Sequence, residues 1–318
     1  MRKLGKALLI IVIVLVVLAG GFWLFIEIRG IPNYTPGNLT LNVDVTPQRV
    51  ERGKKIVALL CADCHLDPKT GKLSGKFMDD APAQFGEIWS HNITQDRNYG
   101  IGKFTDGQIA YLLRTNIGPD GHYLPVYMPG APHMSDEDIY SIIAFLHSND
   151  PIVQPAAIPS HEITNTFLTK FLCFVAFKPL PYPSEKVISP PMSDSAAYGR
   201  YVVQGIGCYE CHSADFQTLN IAHPEQSPGY MGGGNGLLTH EQKKILSANI
   251  TMDPETGIGK WTRNQFISAV RYGQSPHGAL RYPMKPWLQL DSAEINCVWA
   301  YIQTVPKINN NVDRSLKD

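Results

Sequence analysis

Cys61-Ala62-Asp63-Cys64-His65 recurs in altered form as Cys208-Tyr209-Glu210-Cys211-His212. At the Cys-x-x-Cys-His spacing two thiols add to the vinyl groups of a haem as thioethers, and the adjoining imidazole meets the iron. A lone Cys-x-x-Cys would fit a redox disulfide or half of a zinc site. A zinc site of four cysteines would have to join pairs 147 residues apart (208 − 61) and would leave both histidines without a role. The motifs therefore imply two covalently bound haem c groups. Cys61, Cys64, Cys208 and Cys211 hold them, and His65 and His212 ligate the irons.

The duplication runs beyond these motifs. Asn92-Ile93-Thr94 recurs as Asn249-Ile250-Thr251, and Gly100-Ile-Gly-Lys-Phe-Thr105 as Gly257-Ile-Gly-Lys-Trp-Thr262, both at an offset of 157 (249 − 92; 257 − 100). Arg114 and Arg271 keep that offset. The haem motifs lie only 147 apart, so the second half carries about ten extra residues before its Asn-Ile-Thr. The glycine-rich stretch Gly229–Gly236 is the expected insertion. Two such copies imply two similar domains.

Local signals place the helices. Thr46-Pro47 reads as an N-cap with proline at the first helical position, opening a helix into Cys61. Its counterpart opens near Ser193–Tyr198 and runs into Cys208. Thr105-x-x-Gln108 and Thr262-x-x-Gln265 read as capping boxes. Ile109, Leu112 and Leu113, and Ile267 and Val270, follow at helical spacing. Ser135-x-x-Asp138 and Asp291-x-x-Glu294 open two more apolar helices.

The ends and the composition narrow the class. Residues 7–26 form an unbroken apolar or small run, and twenty residues at helical rise match a hydrocarbon core of about 30 Å. Arg2, Lys3 and Lys6 precede it, which keeps the N-terminus cytoplasmic and the remainder outside the inner membrane. A cleaved signal peptide is the rival, but no Ala-x-Ala site follows Ile26. The formal net charge is zero and no basic block occurs, which speaks against nucleic acid. Cys173 and Cys297 remain outside the haem motifs, as buried thiols or as a disulfide in an oxidising compartment.

Each half reads helix, Cys-x-x-Cys-His, long loop, helix, methionine loop, helix. That order resembles class I cytochrome c, a small all-helical fold around one haem, over residues 46–150 and 193–306. The resemblance implies an all-α chain with a transmembrane anchor (1–30), two tandem cytochrome c domains (46–150 and 193–306), and a proline-rich apolar linker between them (151–192). The linker is too apolar to float free, and is expected to pack across the two domains or against a partner. The cytochrome c pattern also implies a sixth ligand from a proline-rich loop. Leu124-Pro-Val-Tyr-Met128-Pro and Leu280-Arg-Tyr-Pro-Met284-Lys-Pro fit it, so Met128 and Met284 are the expected ligands. Met78, Met134 and His133, and Met231, Met252 and His277, are the rivals. His122 reads as a surface or haem-edge residue, and His91, which faces Ala248 in the repeat, as no shared element.

The Asn-Ile-Thr … Gly-Ile-Gly-Lys-(Phe/Trp)-Thr signature is similar to that of the multihaem cytochrome c subunits of membrane-bound alcohol, aldehyde and gluconate dehydrogenases. Those often carry three haems, whereas this chain has two motifs and an N-terminal anchor. The resemblance implies an electron-transfer subunit rather than an enzyme, taking electrons from a dehydrogenase and passing them to a respiratory-chain acceptor. His/Met ligation fills both axial positions and raises the reduction potential. The alternatives are a cytochrome subunit of a terminal oxidase, a dihaem peroxidase, and thiosulfate oxidation with an axial Cys, which Cys173 and Cys297 disfavour by lying outside the methionine loops. The Asn-Ile-Thr turn is expected to pack on the haem edge.

Overall fold

The computed structural model describes residues 2–125 and 127–316; Val126, inside the Met128 loop, lies outside them. Ten α-helices occur among the described residues: α1 (Arg2–Arg29), α2 (Pro47–Leu60), α3 (Ala62–His65), α4 (Asp106–Thr115), α5 (Asp136–Leu146), α6 (Phe167–Val175), α7 (Ser195–Gly205), α8 (Cys208–His212), α9 (Arg263–Tyr272) and α10 (Ser292–Ile302). The chain is mostly helical but not all-α. Three short antiparallel pairs join β1 (Gly86–Glu87) to β2 (Thr164–Asn165), β3 (Gly236–Leu238) to β4 (Lys244–Leu246), and β5 (Gln274–Ser275) to β6 (Gly278–Ala279). Pairs of two or three residues carry no alternating pattern to read.

The caps form as their sequences dictate. Thr46 accepts from the Arg49 amide and Pro47 opens α2. Thr105–Gln108, Thr262–Gln265 and Asp291–Glu294 are full capping boxes, while Ser135 caps α5 from one side only. The helix expected to run into Cys208 stops instead at Gly205. Gly207, at φ +72°, turns the chain before α8 begins.

Two hydrophobic cores follow the repeat. Ile56, Val57, Ile139, Ile143 and Phe145 centre the first, which Val43 and Val153 join from the flanks. Val202, Val203, Ile295, Val298 and Ile302 centre the second, which takes Leu59 from the first half. In each, a glycine lets two helices meet. Gly53 of α2 lies against the Ser141 backbone and Phe145 of α5, and Gly199 of α7 lies against the Cys297 backbone and Tyr301 of α10. Cys297 and Cys173 are both buried, and both are free thiols.

The halves meet through reciprocal contacts. Two residues beyond Gly53, Lys55 donates to Asp291 and Glu294 (3.3 and 2.5 Å), the N-cap and third residue of the α10 capping box. Two residues beyond Gly199, Tyr201 hydrogen-bonds the Ser135 hydroxyl and donates to Asp138 (3.1 and 2.5 Å), the same positions of α5. Such i-to-j, j-to-i pairing belongs to an approximately two-fold interface. Arg52 lies between its halves, bidentate on Asp138 (2.7 and 2.9 Å) and 3.2 Å from Glu294. The Asp138 hydrogen bond outweighs burial and raises the guanidinium pKa. Arg52→Ala removes the cation shared by two nearly buried carboxylates, Asp138 and Glu294. It is expected to cost about 2–3 kcal/mol, below the range for a fully buried pair, because Arg52 keeps 32% of its side chain exposed. Arg49→Ala removes a partner from the exposed Glu137 and is expected to cost under about 1 kcal/mol. Thermal unfolding of the two variants checks the contrast.

The stretch 151–192 does not float. Within it α6 packs on the end of α1, with Phe171 against Phe22, Phe167 against Trp23 and Phe174 against Phe25. Lys170 pairs with Glu27 at 2.5 Å. Thr169 donates to the Phe85 carbonyl, Tyr182 stacks on Tyr111, and Val187 accepts from the Asp136 amide, so the segment runs along the first half.

Candidate functional site

The first haem motif ends α2 and forms α3, with Cys61 as the cap between them. Cys61, Cys64, His65 and Met128 all line one cavity of about 460 Å³, a volume in the range of cofactor sites. Its walls are largely apolar and include Ile93, Ile101, Phe104, Leu113, Ile142 and Leu146. His65 Nδ1 lies 2.7 Å from the His91 carbonyl oxygen. A carbonyl only accepts, so Nδ1 carries the hydrogen and Nε2 keeps its lone pair. Burial lowers the His65 pKa to about 4, which holds the imidazole neutral and able to ligate.

The second motif repeats this geometry. His212 is buried, and its Nδ1 lies 2.7 Å from the Ala248 carbonyl oxygen. Burial lowers its pKa too. The shared element at positions 91 and 248 is thus a backbone carbonyl. Comparing His with Ala misses it, because the side chain plays no part. The Gly75 amide donates to the His65 carbonyl and the Gly233 amide to the His212 carbonyl. Ten residues separate the first pair (75 − 65) and twenty-one the second (233 − 212). The insertion therefore falls between His212 and Gly233, so the stretch 229–236 holds at most its last four residues.

The methionine loops are anchored alike. α4 ends at Asn116 and α9 at Gly273, both left-handed at φ +61° and +69°. The Leu124 amide donates to the Asn116 carbonyl and Leu280 to that of Gly273. The Met128 and Met284 amides then donate to Pro125 and Arg281 (3.1 and 3.0 Å). Buried Arg114 holds the far side of the first loop through the Ala131 and Pro132 carbonyls and Asp136. Arg271 donates to Ser292 at 3.3 Å and lies over the Tyr272 ring (5.5 Å), and its Nε has no hydrogen-bond partner among the described residues.

The rivals sit differently. Met78, Met134, His91, His122 and His133 also line the first cavity. Met134 is buried in the first core, and His133 Nε2 is engaged with the Ile221 carbonyl at 2.6 Å. Met231 is fully buried in the second core at φ +62°, Met252 packs against that core, and His277 is exposed. The Asn-Ile-Thr turn has a role the sequence did not reveal. Asn92 donates to the Ala156 and Ile158 carbonyls while accepting from Thr94, and Asn249 does the same with Ile308 and Thr251. Each asparagine is a buried staple next to the carbonyl that orients the histidine.

The two sites adjoin. The wall of the first cavity includes Gly205, Ile206, Gly207, Tyr209 and Glu210 from the second half. Lys285, next to Met284, reaches Asp63 inside the first motif and the Leu59 carbonyl. Tyr282 donates to Asp80 at 2.5 Å and stacks on His240, which pairs with Asp79.

The donor set fits haem c better than zinc or a redox disulfide. No group of three or more His, Cys, Asp or Glu side chains able to hold a metal ion occurs among the described residues, and Cys61, Cys64 and His65 face a largely apolar cavity instead; burial pushes the Cys61, Cys208 and Cys211 thiols up to about 12. Residues 50–150 match the family model described as Cytochrome c. The chain is 28% identical to the fructose dehydrogenase cytochrome subunit of Gluconobacter japonicus, covering 81% of this chain and 52% of that one. It is 26% identical to the gluconate 2-dehydrogenase cytochrome c subunit of Pantoea cypripedii, over 72% and 52%. A protein described as "Diheme cytochrome c-type" from Cereibacter sphaeroides is 27% identical over 93% and 96%. The chain spans about half the length of the dehydrogenase subunits it matches. It thus matches the cytochrome c model at residues 50–150 and is similar over most of its length to cytochrome c subunits of dehydrogenases and to a dihaem cytochrome c.

Proposed function

We propose that the chain is a dihaem c-type cytochrome that relays electrons as a subunit of a membrane dehydrogenase complex. The observation that carries this reading is the convergence of Cys61, Cys64, His65 and Met128 on one apolar cavity, with His65 Nδ1 fixed by a carbonyl. The repeated carbonyl, loop anchors and glycine crossing support two tandem cytochrome c domains, 46–150 and 193–306, with the linker 151–192 between them. Each haem, when bound, supplies a one-electron iron centre. The chain's part would be to attach it through Cys61 and Cys64 or Cys208 and Cys211, to supply His65 and Met128 or His212 and Met284 as iron ligands, and to exclude water. A Met donor would favour the reduced iron, and an iron fully ligated by protein side chains would suit electron exchange rather than substrate chemistry. The adjoining sites suit transfer within the chain.

The helix Lys3–Arg29 is long and apolar enough to cross a membrane, and residues Leu8–Leu18 are exposed along it. With its basic start, it supports an inner-membrane anchor with the N-terminus cytoplasmic and both haem domains periplasmic. The similarity to dehydrogenase subunits favours a dehydrogenase donor and a respiratory-chain acceptor over a terminal oxidase.

Haem content and the sulfur-to-iron charge-transfer band of the oxidised protein test this reading. Two haems per chain are expected, with Met128→Leu and Met284→Leu each removing about half of that band and both together removing all of it. A band that survives the double variant overturns the assignment of both methionines.

A further inference from the structure

We infer that α6 is a second membrane contact, lying in the outer interface of the bilayer beside the end of α1. This rests on the proposed reading of α1 as a membrane span. The nine residues of α6 are Phe-Leu-Thr-Lys-Phe-Leu-Cys-Phe-Val, with Lys170 as the sole charge. That charge is matched by Glu27 of α1. At helical spacing the residues divide among three faces. Thr169 and Cys173 are buried toward the first half. Phe167, Phe171 and Phe174 pack on α1. Leu168 and Val175, seven residues apart, remain 39% and 55% exposed. A soluble surface helix would carry polar residues there.

The position of α6 along α1 names the occupant of that face. Its aromatic contacts run from Phe22 to Phe25, at the end of the apolar run that closes at Ile26, and its ion pair reaches Glu27 just beyond. At 1.5 Å rise per residue this places α6 within about 6 Å of the span's outer edge. Interfacial helices lie about 5–10 Å into the boundary between headgroups and acyl chains. Trp23 sits at the same level and is half exposed, as an interfacial anchor would be. Leu168 and Val175 add to the apolar surface that α1 exposes. Lys178 donates to the Cys173 and Phe174 carbonyls and closes the helix end with a charge at its polar margin. Two contacts, one spanning and one interfacial, would hold the first half in a fixed orientation over the membrane, where a single flexible tether would not.

Spin labels on the full chain test this. The chain is reconstituted in vesicles of phosphatidylethanolamine and phosphatidylglycerol. Labels are placed singly through Leu168→Cys, Val175→Cys, Val16→Cys within α1, and Ile188→Cys on the exposed linker. Their collisions with oxygen and with a polar nickel complex are compared. The expected result is an oxygen-to-nickel ratio several-fold higher at 168 and 175 than at 188, approaching that at 16. Lipid-like behaviour at 16 with water-like behaviour at 168 and 175 overturns the proposal alone and leaves that face to a protein partner. Water-like behaviour at 16 overturns the anchor reading and this proposal with it. Retention of both haems in each variant shows that the label sites have not disturbed the fold.

Discussion

Gly53→Val is expected to prevent α2 from seating on α5, and Gly199→Val to prevent α7 from seating on α10. A Cβ at Gly53 would overlap the Ser141 carbonyl oxygen, and would stand 2.6 Å from its carbon and 2.7 Å from Phe145 Cβ. At Gly199 it would overlap the Cys297 carbonyl and stand 2.9 Å from Tyr301 Cβ. Main-chain atoms in a helix cannot rotate aside, so the helices must separate. Overpacking a core costs about 1–3 kcal/mol where side chains can give way. With backbone blocking both sites, at least about 3 kcal/mol is expected, a large share of the roughly 5–15 kcal/mol that holds a domain folded. Helix propensity argues the opposite way, because replacing a mid-helix glycine gains about 0.5–1 kcal/mol when the newcomer is alanine. Gly53→Ala and Gly199→Ala therefore decide which effect wins. Close packing predicts a lower melting temperature and reduced haem incorporation in the half that carries the change, while propensity predicts a small gain. Helical circular dichroism during heating and haem per chain read both.

These glycines mark the limit of what the sequence discloses. Signals confined to a few neighbouring residues are legible. The two Cys-x-x-Cys-His motifs are contiguous, and the Thr105–Gln108 and Thr262–Gln265 boxes act within one helical turn, so each stands where expected. Contacts between distant backbone atoms are not legible. The carbonyls at 91 and 248 act through the main chain, and the comparison of His with Ala points away from them. Glycine content points to 229–236 for the insertion, whereas the Gly75 and Gly233 amides locate it between His212 and Gly233. The interface joins Arg52 to Glu294 across 242 residues, and no local pattern announces a partner at that separation. Gly207 does carry a local signal. A glycine directly before a cysteine motif can take the left-handed turn that separates α7 from α8.

Asn249→Ala is expected to lower stability by about 3 kcal/mol and, on the proposed dihaem reading, to raise the reduction potential of the haem held at Cys208–His212 alone. The side chain accepts from the Thr251 amide and hydroxyl (3.0 and 2.8 Å) and donates to the Ile308 carbonyl and Thr256 hydroxyl (2.7 and 3.0 Å). Alanine leaves four buried or part-buried groups without these partners. Each unsatisfied group costs about 1–3 kcal/mol, and local rearrangement recovers part of the total. The functional effect follows from chain position. Residue 248, whose carbonyl accepts from His212 Nδ1, directly precedes Asn249 and shares its anchor. A hydrogen bond donated by the outer N–H of a ligating imidazole makes its other nitrogen a stronger donor to the iron. Loosening that bond weakens the donor and stabilises ferric iron less, so the potential rises. Asn92→Ala should act in the same sense on the first haem through the His91 carbonyl, leaving the second unchanged. Asn249→Asp separates the parts of the argument: it keeps the acceptor for Thr251 but turns a carboxylate oxygen toward the Ile308 carbonyl, so it should destabilise at least as much as alanine. Redox titration of each variant, with the two haems resolved, is the decisive measurement. A large loss of stability with both potentials unmoved would mean that the asparagines only tie the chain ends down and leave the histidines as they were.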